Sequence, residues 1–470
     1  MERYDVLILG GGPAGERAAV QAARIGKRVA LIEREHVVGG TCINWGTIPS
    51  KTLRESALFV LSLTANKVDG IRTDIADRIP VQDFMYRERL VVQRELELVN
   101  KLLDKYQIEV YRGHGRFVDE HTLSVHGPDG KETRRFAGDV IVIATGSIPN
   151  RPESVPFDYE TVFDSNTILK LPRMPRTMVV LGAGVIGVEY ASIFAALGVR
   201  IVLVDTRSQF LPYLDREIAA ILERGLRKLG VDFVQGEFAE KIERIPGEPP
   251  SVRCRTRSGQ VLEADVLLYA VGRDGNTRDL GLENVGLEPS PRGLLEVNEW
   301  YQTRHPHIYA VGVVIGYPAL ASTSMEQGRQ AIRHAYDVPG PRGKTTLLPF
   351  ALYSIPEVSY IGESEKTLQD KGTDFVVGRG RYEFNPRGQI MGDTEGMLKL
   401  LFETGSGRLV GAHMIGHGAS ELIHIGQTFL NAEADVTIIA ETLYNYPSLS
   451  DLYRHAAFEA IAARRRKLGG

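Results

Sequence analysis

Two glycine turns constrain this chain more than any other feature of its sequence. They are Gly10-Gly11-Gly12-Pro13-Ala14-Gly15 and Gly182-Ala183-Gly184-Val185-Ile186-Gly187. The first follows the apolar, β-rich run YDVLIL (from Tyr4), opens the alanine-rich helical stretch ERAAVQAARIG, and leads to a second strand, KRVALIE, ending in Glu33. Strand, glycine turn, helix, strand and an acid about 20 residues on make a complete βαβ unit for dinucleotide binding. Gly10 allows the tight turn, Gly12 lets the backbone approach a pyrophosphate, and Gly15 lets helix and strand pack closely. The helix N-terminus faces the anion, and Glu33 can accept hydrogen bonds from ribose hydroxyls. The pattern recurs in TMVVLGAGVIGVEYASIFAALGVRIVLVD, with Gly182, Gly184 and Gly187 in the turn and Asp205 at the end. Two complete fingerprints imply two dinucleotides.

A chain of 470 residues has room for about three domains at roughly 150 residues each. Between the two fingerprints the spacing predicts a long helical region from Lys51 to Tyr106, including the amphipathic MYRERLVVQRELELVNKLLDKY. Strands follow at IEVYRGHGRFV, HTLSVH and GDVIVIATGSIP, the last ending at Ala144-Thr145-Gly146. After residue 345 the texture changes to a β-hairpin, GMLKLLFETGSGRLVGAHMIG, and the helices ASELIHIGQTFLNA and LSDLYRHAAFEAIAARR. The duplicated βαβ unit is the only internal repeat. A net charge of -3 gives no long-range attraction for nucleic acid or an anionic membrane. The basic run Arg464 to Lys467 reads as a solvated helix end. The N-terminus lacks the form of a signal peptide, and no apolar run reaches the ~18 residues that span a bilayer. Two cysteines in so long a chain argue against a disulfide framework and for a reducing cytoplasm. Cys254, in SVRCRTRSG, reads as a small apolar filler on a strand.

Further motifs join the fingerprints. They are the Cys42 loop GGTCINWGTIPSK, ending in Pro49-Ser50-Lys51, then Ala144-Thr145-Gly146-Ser147, and Glu189 within the second fingerprint's helix. Gly272-Arg273 with Asn276-Thr277, the run HIYAVG from His307 to Gly312, and Pro356-Glu357 complete the set. Together they resemble the two-dinucleotide flavoprotein disulfide reductases, the class I pyridine nucleotide-disulfide oxidoreductases, along nearly the whole chain. The resemblance implies an α/β fold of two Rossmann-like dinucleotide-binding domains plus a C-terminal α+β dimerisation domain. Its divisions would be 1–150 (first part of an FAD-binding domain), 151–272 (NAD(P)-binding), 273–345 (a central domain completing the FAD site) and 346–470 (dimerisation). It also implies FAD as cofactor, NAD and NADP as substrates, and a homodimer or larger homo-oligomer, with no nucleic acid, membrane or metal involved. Lys51, near the flavin N5 region, would pair with Glu189 near the nicotinamide as the catalytic residues. A lysine beside the ring stabilises negative charge on a reduced flavin, and a carboxylate holds the lysine in place. Cofactor contacts would come from Gly10, Gly12, Gly15, Glu33, Gly40, Thr41 and Cys42, and from Gly115, Thr145 and Gly146. Further contacts would come from Gly182, Gly184, Gly187, Asp205 and Arg207, and from Gly272, Arg273, Gly312 and Val313.

The chain departs from the family at three places. Disulfide chemistry there needs a second cysteine separated from the first by four residues, but position 47 is Thr47. It also needs a C-terminal His-Pro with an acid a few residues on; here Tyr446-Pro447 stands in that place, with Asp451 where the acid belongs. A threonine hydroxyl forms no disulfide, and a phenol with a pKa near ~10 is poorly matched to thiol acid-base work. Both losses remove exchange with a disulfide and leave flavin-nicotinamide exchange in place. Within the family this combination resembles the soluble pyridine nucleotide transhydrogenases, in CINWGTIPSK, NYPSLSDLYR and YSIPEVSYIG. That resemblance implies reversible, ping-pong hydride transfer: NADPH passes hydride to the flavin, NADP+ leaves, and NAD+ takes the hydride from the same site. Asp205 suits the free 2′-hydroxyl of NAD, while Arg207 could receive a 2′-phosphate. Third, Val313 follows YAVG where the family carries an aspartate that bonds the flavin's ribityl chain; the expected result is weakened FAD binding. The alternatives are a flavin diaphorase with a quinone or other non-disulfide acceptor, and a nucleotide-binding protein without catalysis.

Overall fold

The computed structural model describes residues 1–65, 79–340 and 347–469. The first βαβ unit forms as its pattern requires. The strand Glu2–Leu9 is buried along its last four residues, which suits a parallel sheet covered on both faces. It lies between Val29–Glu33 and the distal half of Glu132–Ile143, parallel to both, with Val6 opposite Val29 and Val140. Glu109–Arg112 adds to the Val29–Glu33 edge. The proximal half of Glu132–Ile143 instead runs antiparallel to Thr122–His126, which pairs with His114–Asp119. A remote strand, Ile308–Ala310, closes the sheet by pairing in parallel with Ile141 to Ile143. The helix Ala321–Ala335 that follows packs on Pro13–Arg24, where a β-carbon on Gly328 would lie 2.2 Å from the Ala14 carbonyl oxygen. This strand and this helix thus join the first unit from far along the chain.

The second unit is a five-stranded parallel sheet in the order Val231–Gln235, Arg200–Asp205, Thr177–Leu181, Val266–Tyr269, Val162–Asp164. Its helix Val185–Ala196 is buried along nearly its whole length. A three-stranded antiparallel sheet beside it carries Cys254, fully buried on Ser251–Thr256. The chain crosses between the two units twice, and the crossings pair as a short antiparallel ribbon, Ser147–Pro149 with Arg273–Gly275.

The third unit is a five-stranded antiparallel sheet built on the hairpin Met397–Glu403 and Leu409–Ile415, covered by the helices Ala419–Asn431 and Leu452–Lys467. The division expected between 345 and 346 lies outside the described residues. So does the 66–78 part of the helical region, which otherwise appears as Thr47–Ala65, Val81–Phe84 and Tyr86–Lys105. The basic C-terminal turn is more tied down than a solvated end: Arg464 donates to the carbonyls of Thr404 and Gly405, and Lys467 pairs with Asp374. The hairpin turn leaves those two carbonyls facing the guanidinium.

Candidate functional site

The three units meet at a cavity of about 1180 Å³. The first glycine turn forms part of its wall. Helix Pro13–Arg24 begins there with no side chain among the described residues capping its first turn, which leaves first-turn N–H groups free for an acceptor. A β-carbon on Gly40 would come within 2.8 Å of the Gly12 α-carbon, so the short helix Gly40–Asn44 sits directly on the turn. Glu33 accepts from Gly11 N at 2.7 Å and from Glu35 N at 2.9 Å. The acid therefore fixes the shape of the glycine turn as well as facing the cavity. Burial raises its carboxyl above the ordinary range, against the pull of those backbone donors.

Gly115, Thr145, Gly146, Gly312 and Val313 join the wall from neighbouring loops and strands. Gly115 lies there for packing too: a β-carbon would meet a Leu9 methyl at 2.3 Å. The Thr145 hydroxyl is buried with no partner among the described residues, an unused polar group in the cavity wall. Gly312 N donates to Gln327 Oε1 at 2.7 Å, fixing the loop that presents Val313. Arg273 reaches back across the ribbon to Ser147 O at 2.8 Å, Ser147 Oγ at 2.9 Å and Ser165 Oγ at 3.2 Å. No carboxylate pairs with it among the described residues, and burial pushes its guanidinium down to about 10.

Cys42 and Thr41 share this wall. Burial raises the Cys42 thiol, while a hydrogen bond with Thr47 and the nearby Lys51 pull the other way. The cysteine's neighbour on the loop is therefore a hydroxyl where a second thiol would stand. Lys51 and Glu189 also meet as expected. Lys51 Nζ lies 2.7 Å from Glu189 Oε2, joining the first unit to the second across the cavity, with the carboxylate almost fully buried.

The second glycine turn repeats the first in detail. Asp205 Oδ2 accepts from Ala183 N at 2.6 Å, the counterpart of the Glu33–Gly11 bond. A β-carbon on Gly187 would lie 1.9 Å from Gly182 O, as one on Gly15 would from Gly10 O. Arg207 forks onto Asp205 at 2.8 and 2.7 Å and donates to Ala183 O at 3.0 Å. Burial opposes ionisation of Asp205, but the bonds from Arg207 and the backbone outweigh it and hold the carboxyl below its ordinary range. Of this unit, Val185, Ile186, Glu189, Tyr190 and Tyr213 reach the common cavity, whereas Gly182, Gly184, Gly187, Asp205, Arg207 and the junction residue Gly272 lie outside its wall.

At the C-terminus Tyr446 is 74% exposed and Asp451 is buried. Asp451 pairs with Arg454 at 2.5 Å and stands 3.3 Å from His455, both on the helix Leu452–Lys467 that begins just after it, so it is not held toward Tyr446. The third unit still reaches the cavity, through Tyr353, Tyr360, Ser420 and His424. Sequence reasoning did not assign these four. YSIPEVSYIG was a recognisable stretch, but no spacing rule links residue 353 to residues 51 and 189.

The sequence profile described as "pyridine nucleotide-disulphide oxidoreductase" matches residues 4–328, and that of the corresponding dimerisation domain matches residues 348–457. Proteins named soluble pyridine nucleotide transhydrogenase are similar over nearly their full length. The one from Mycobacterium bovis is 42% identical, covering 98% of each chain. The one from Chromohalobacter salexigens is 41% identical, over 97% of this chain and 98% of its own. Among solved structures, the HOCl-induced flavoprotein disulfide reductase RclA from Escherichia coli superposes with a TM-score of 0.86 at 30% identity, covering 97% of this chain and 99% of that one. LpdA from Mycobacterium tuberculosis gives 0.89 at 26% identity, with full coverage of both chains. The matches cover both glycine turns, the Lys51–Glu189 pair and the C-terminal antiparallel unit, and the chain belongs to the pyridine nucleotide-disulphide oxidoreductase family.

Proposed function

We propose that this protein is a soluble, FAD-dependent transhydrogenase that moves hydride reversibly between NADPH and NAD+. The observation that carries the reading is the Lys51–Glu189 pair at 2.7 Å, set between the two dinucleotide units, beside a Cys42 whose loop partner is Thr47. The residues fit a flavin dinucleotide. The uncapped helix Pro13–Arg24 offers N–H donors for a pyrophosphate, Glu33 faces the cavity for ribose hydroxyls, and Thr145 keeps a buried hydroxyl without a partner among the described residues. Bound FAD supplies a ring that accepts hydride from one nicotinamide and returns it to another. Lys51 would hold its positive charge near that ring, with Glu189 fixing the ammonium in position. Val185 and Ile186, which line the same cavity, would give a bound nicotinamide an apolar surface that excludes water.

One nucleotide site serves both substrates. Asp205 takes the 2′-hydroxyl of NAD, and Arg207, 39% exposed at its side chain, turns from its fork to meet the 2′-phosphate of NADP. The names of the relatives support the same activity. Two copies associate through the third unit, whose surface exposes Phe384, Leu443, Tyr446 and Phe458. Among the described residues no helix is long and apolar enough to cross a membrane, and the two free cysteines suit a reducing cytoplasm.

The test is an absorbance spectrum of the purified protein, followed by an anaerobic assay with NADPH and an NAD+ analogue whose reduced form absorbs separately. Flavin absorption and formation of the reduced analogue are expected. A flavin-loaded protein that oxidises NADPH only when a quinone or dye is added would replace this reading with a diaphorase.

A further inference from the structure

Three elements, one from each unit, converge on the Lys51 ammonium. Helix Thr47–Ala65 carries Lys51, helix Val185–Ala196 carries Glu189, and the segment after strand Phe350–Leu352 carries Tyr353. Tyr353 makes three separate contacts there. Its backbone N–H donates to Glu189 Oε1 at 2.9 Å, on the oxygen that Lys51 does not use. Its ring faces Lys51 Nζ, 4.9 Å from the centroid. Its hydroxyl lies close to the Ser420 side chain at the start of helix Ala419–Asn431.

The segment itself is held from two more sides. Arg54, one position short of a full turn beyond Lys51 on the same helix, donates to Ser354 O at 3.0 Å and pairs with Glu357 at 2.9 Å, with both side chains buried. A β-carbon on Gly225 would meet Pro356 at 2.7 Å, so helix Arg216–Lys228 presses directly on the segment. Tyr353 therefore sits in a rigid mount built by Arg54, Glu357 and Pro356, and aims its ring at a single charge.

We propose that Tyr353 is a positioning residue for hydride transfer, in which its backbone orients Glu189 and its aromatic face confines the Lys51 ammonium between ring and carboxylate. This rests on the transhydrogenase reading for the reaction, but the confinement of Lys51 is a property of the protein alone. An ammonium over an aromatic face gains attraction from the ring quadrupole, and a fixed ring restricts where the long lysine chain can place its charge. The backbone donor survives any substitution but proline, so the side-chain variants isolate the ring.

The experiment compares Tyr353→Phe, Tyr353→Leu and Tyr353→Met in the flavin-loaded protein. Hydride transfer is followed anaerobically. Separately, acylation of Lys51 by an amine-directed reagent is followed by peptide mass spectrometry at fixed pH. Tyr353→Phe keeps the ring and is expected to keep at least half of kcat and the native labelling rate. Tyr353→Leu and Tyr353→Met lose it, and kcat is expected to fall about tenfold, the size of a partly buried cation–π contact. KM should stay within twofold, and Lys51 labelling should rise severalfold. Methionine fills the space without branching, so it decides the matter if the leucine variant does not fold. The proposal is overturned if Phe loses as much as Leu or Met, if the loss appears in KM, or if Lys51 labels at the native rate without the ring. Absence of hydride transfer in the native protein would reject the transhydrogenase reading, and the labelling series would still judge the confinement of Lys51.

Discussion

At the scale of single residues, the contacts at each position decide what it can contribute. Arg207 closes a fork on Asp205 and also holds the Ala183 carbonyl. Loss of a charged hydrogen bond to a 2′-phosphate costs about 1.5–3 kcal/mol. Arg207→Ala is therefore expected to weaken NADPH binding about tenfold or more and NADH binding far less, measured by fluorescence titration. Equal losses for the two would assign Arg207 to the shape of the turn. Val313 offers no acceptor at the cavity wall, and Val313→Asp would restore one. Retention of FAD should tighten by about one decade by the same arithmetic, read as the fraction of flavin lost on dialysis. Cys42 has its thiol raised chiefly by burial, and the thiolate is the reactive form. Alkylation by iodoacetamide should be slow near neutral pH and climb only in alkaline solution. Rapid labelling near neutrality would show an activated thiol and reopen the question of redox chemistry on that loop.

At the scale of elements, the two βαβ units are built by the same device. In each, a backbone N–H of the glycine turn is tied to the acid ending the second strand, and the third glycine lets the helix close on the strand. Gly187→Ala would place a carbon 1.9 Å from a carbonyl oxygen, so strand and helix must separate. Overpacking of this kind costs about 1–3 kcal/mol. The expected result is a lower unfolding temperature and lost nucleotide binding with flavin absorption retained, since the first turn is untouched. Concurrent loss of flavin would mean that the two units do not fold independently. These elements were readable in the chain because strand, turn and helix are local. The antiparallel hairpin and both C-terminal helices were readable for the same reason. The placement of Ile308–Ala310 was not: a three-residue strand has no period of its own, and its partner lies more than 160 residues earlier.

At the scale of the molecule, the second and third units are joined through a buried lysine. Lys399, 2% exposed, lies 2.9 Å from Asp215 and 3.3 Å from Glu217, and also contacts Glu365. Burial acts against both charges, yet the Lys399 bond lowers the Asp215 carboxyl, and Glu365 and Asp215 raise the Lys399 ammonium. For Asp215 the folded value lies below the unfolded one, so its contribution is present above about pH 4 and is lost as pH falls through the folded value. For Lys399 the folded value lies above the unfolded one, so its contribution is present below about pH 10 and is lost as pH rises through the folded value. The unfolding temperature should thus be flat across neutral pH as far as this cluster is concerned, and should fall at both extremes. Lys399→Met leaves the buried Asp215 carboxylate uncompensated, at a cost of about 3–5 kcal/mol. Its melting curve should lose the alkaline fall and gain stability as acid protonates the carboxylates. A curve that keeps the native shape would show that the cluster carries no net stability.

The linear order of residues was enough for two nucleotide folds, their acids, and the absence of a second thiol beside Cys42. Each of these follows from backbone sterics or functional-group chemistry within a few tens of residues. It also made the meeting of Lys51 with Glu189 an expectation, but only through resemblance, since 138 residues separate them. Tertiary structure alone decided the rest. Arg207 covers Asp205, Asp451 turns to the helix that begins just after it, and Tyr353 arrives from the third unit to face Lys51. Such contacts depend on how separately folded units dock, and docking is set by packed surfaces whose members lie far apart in the chain and share no period.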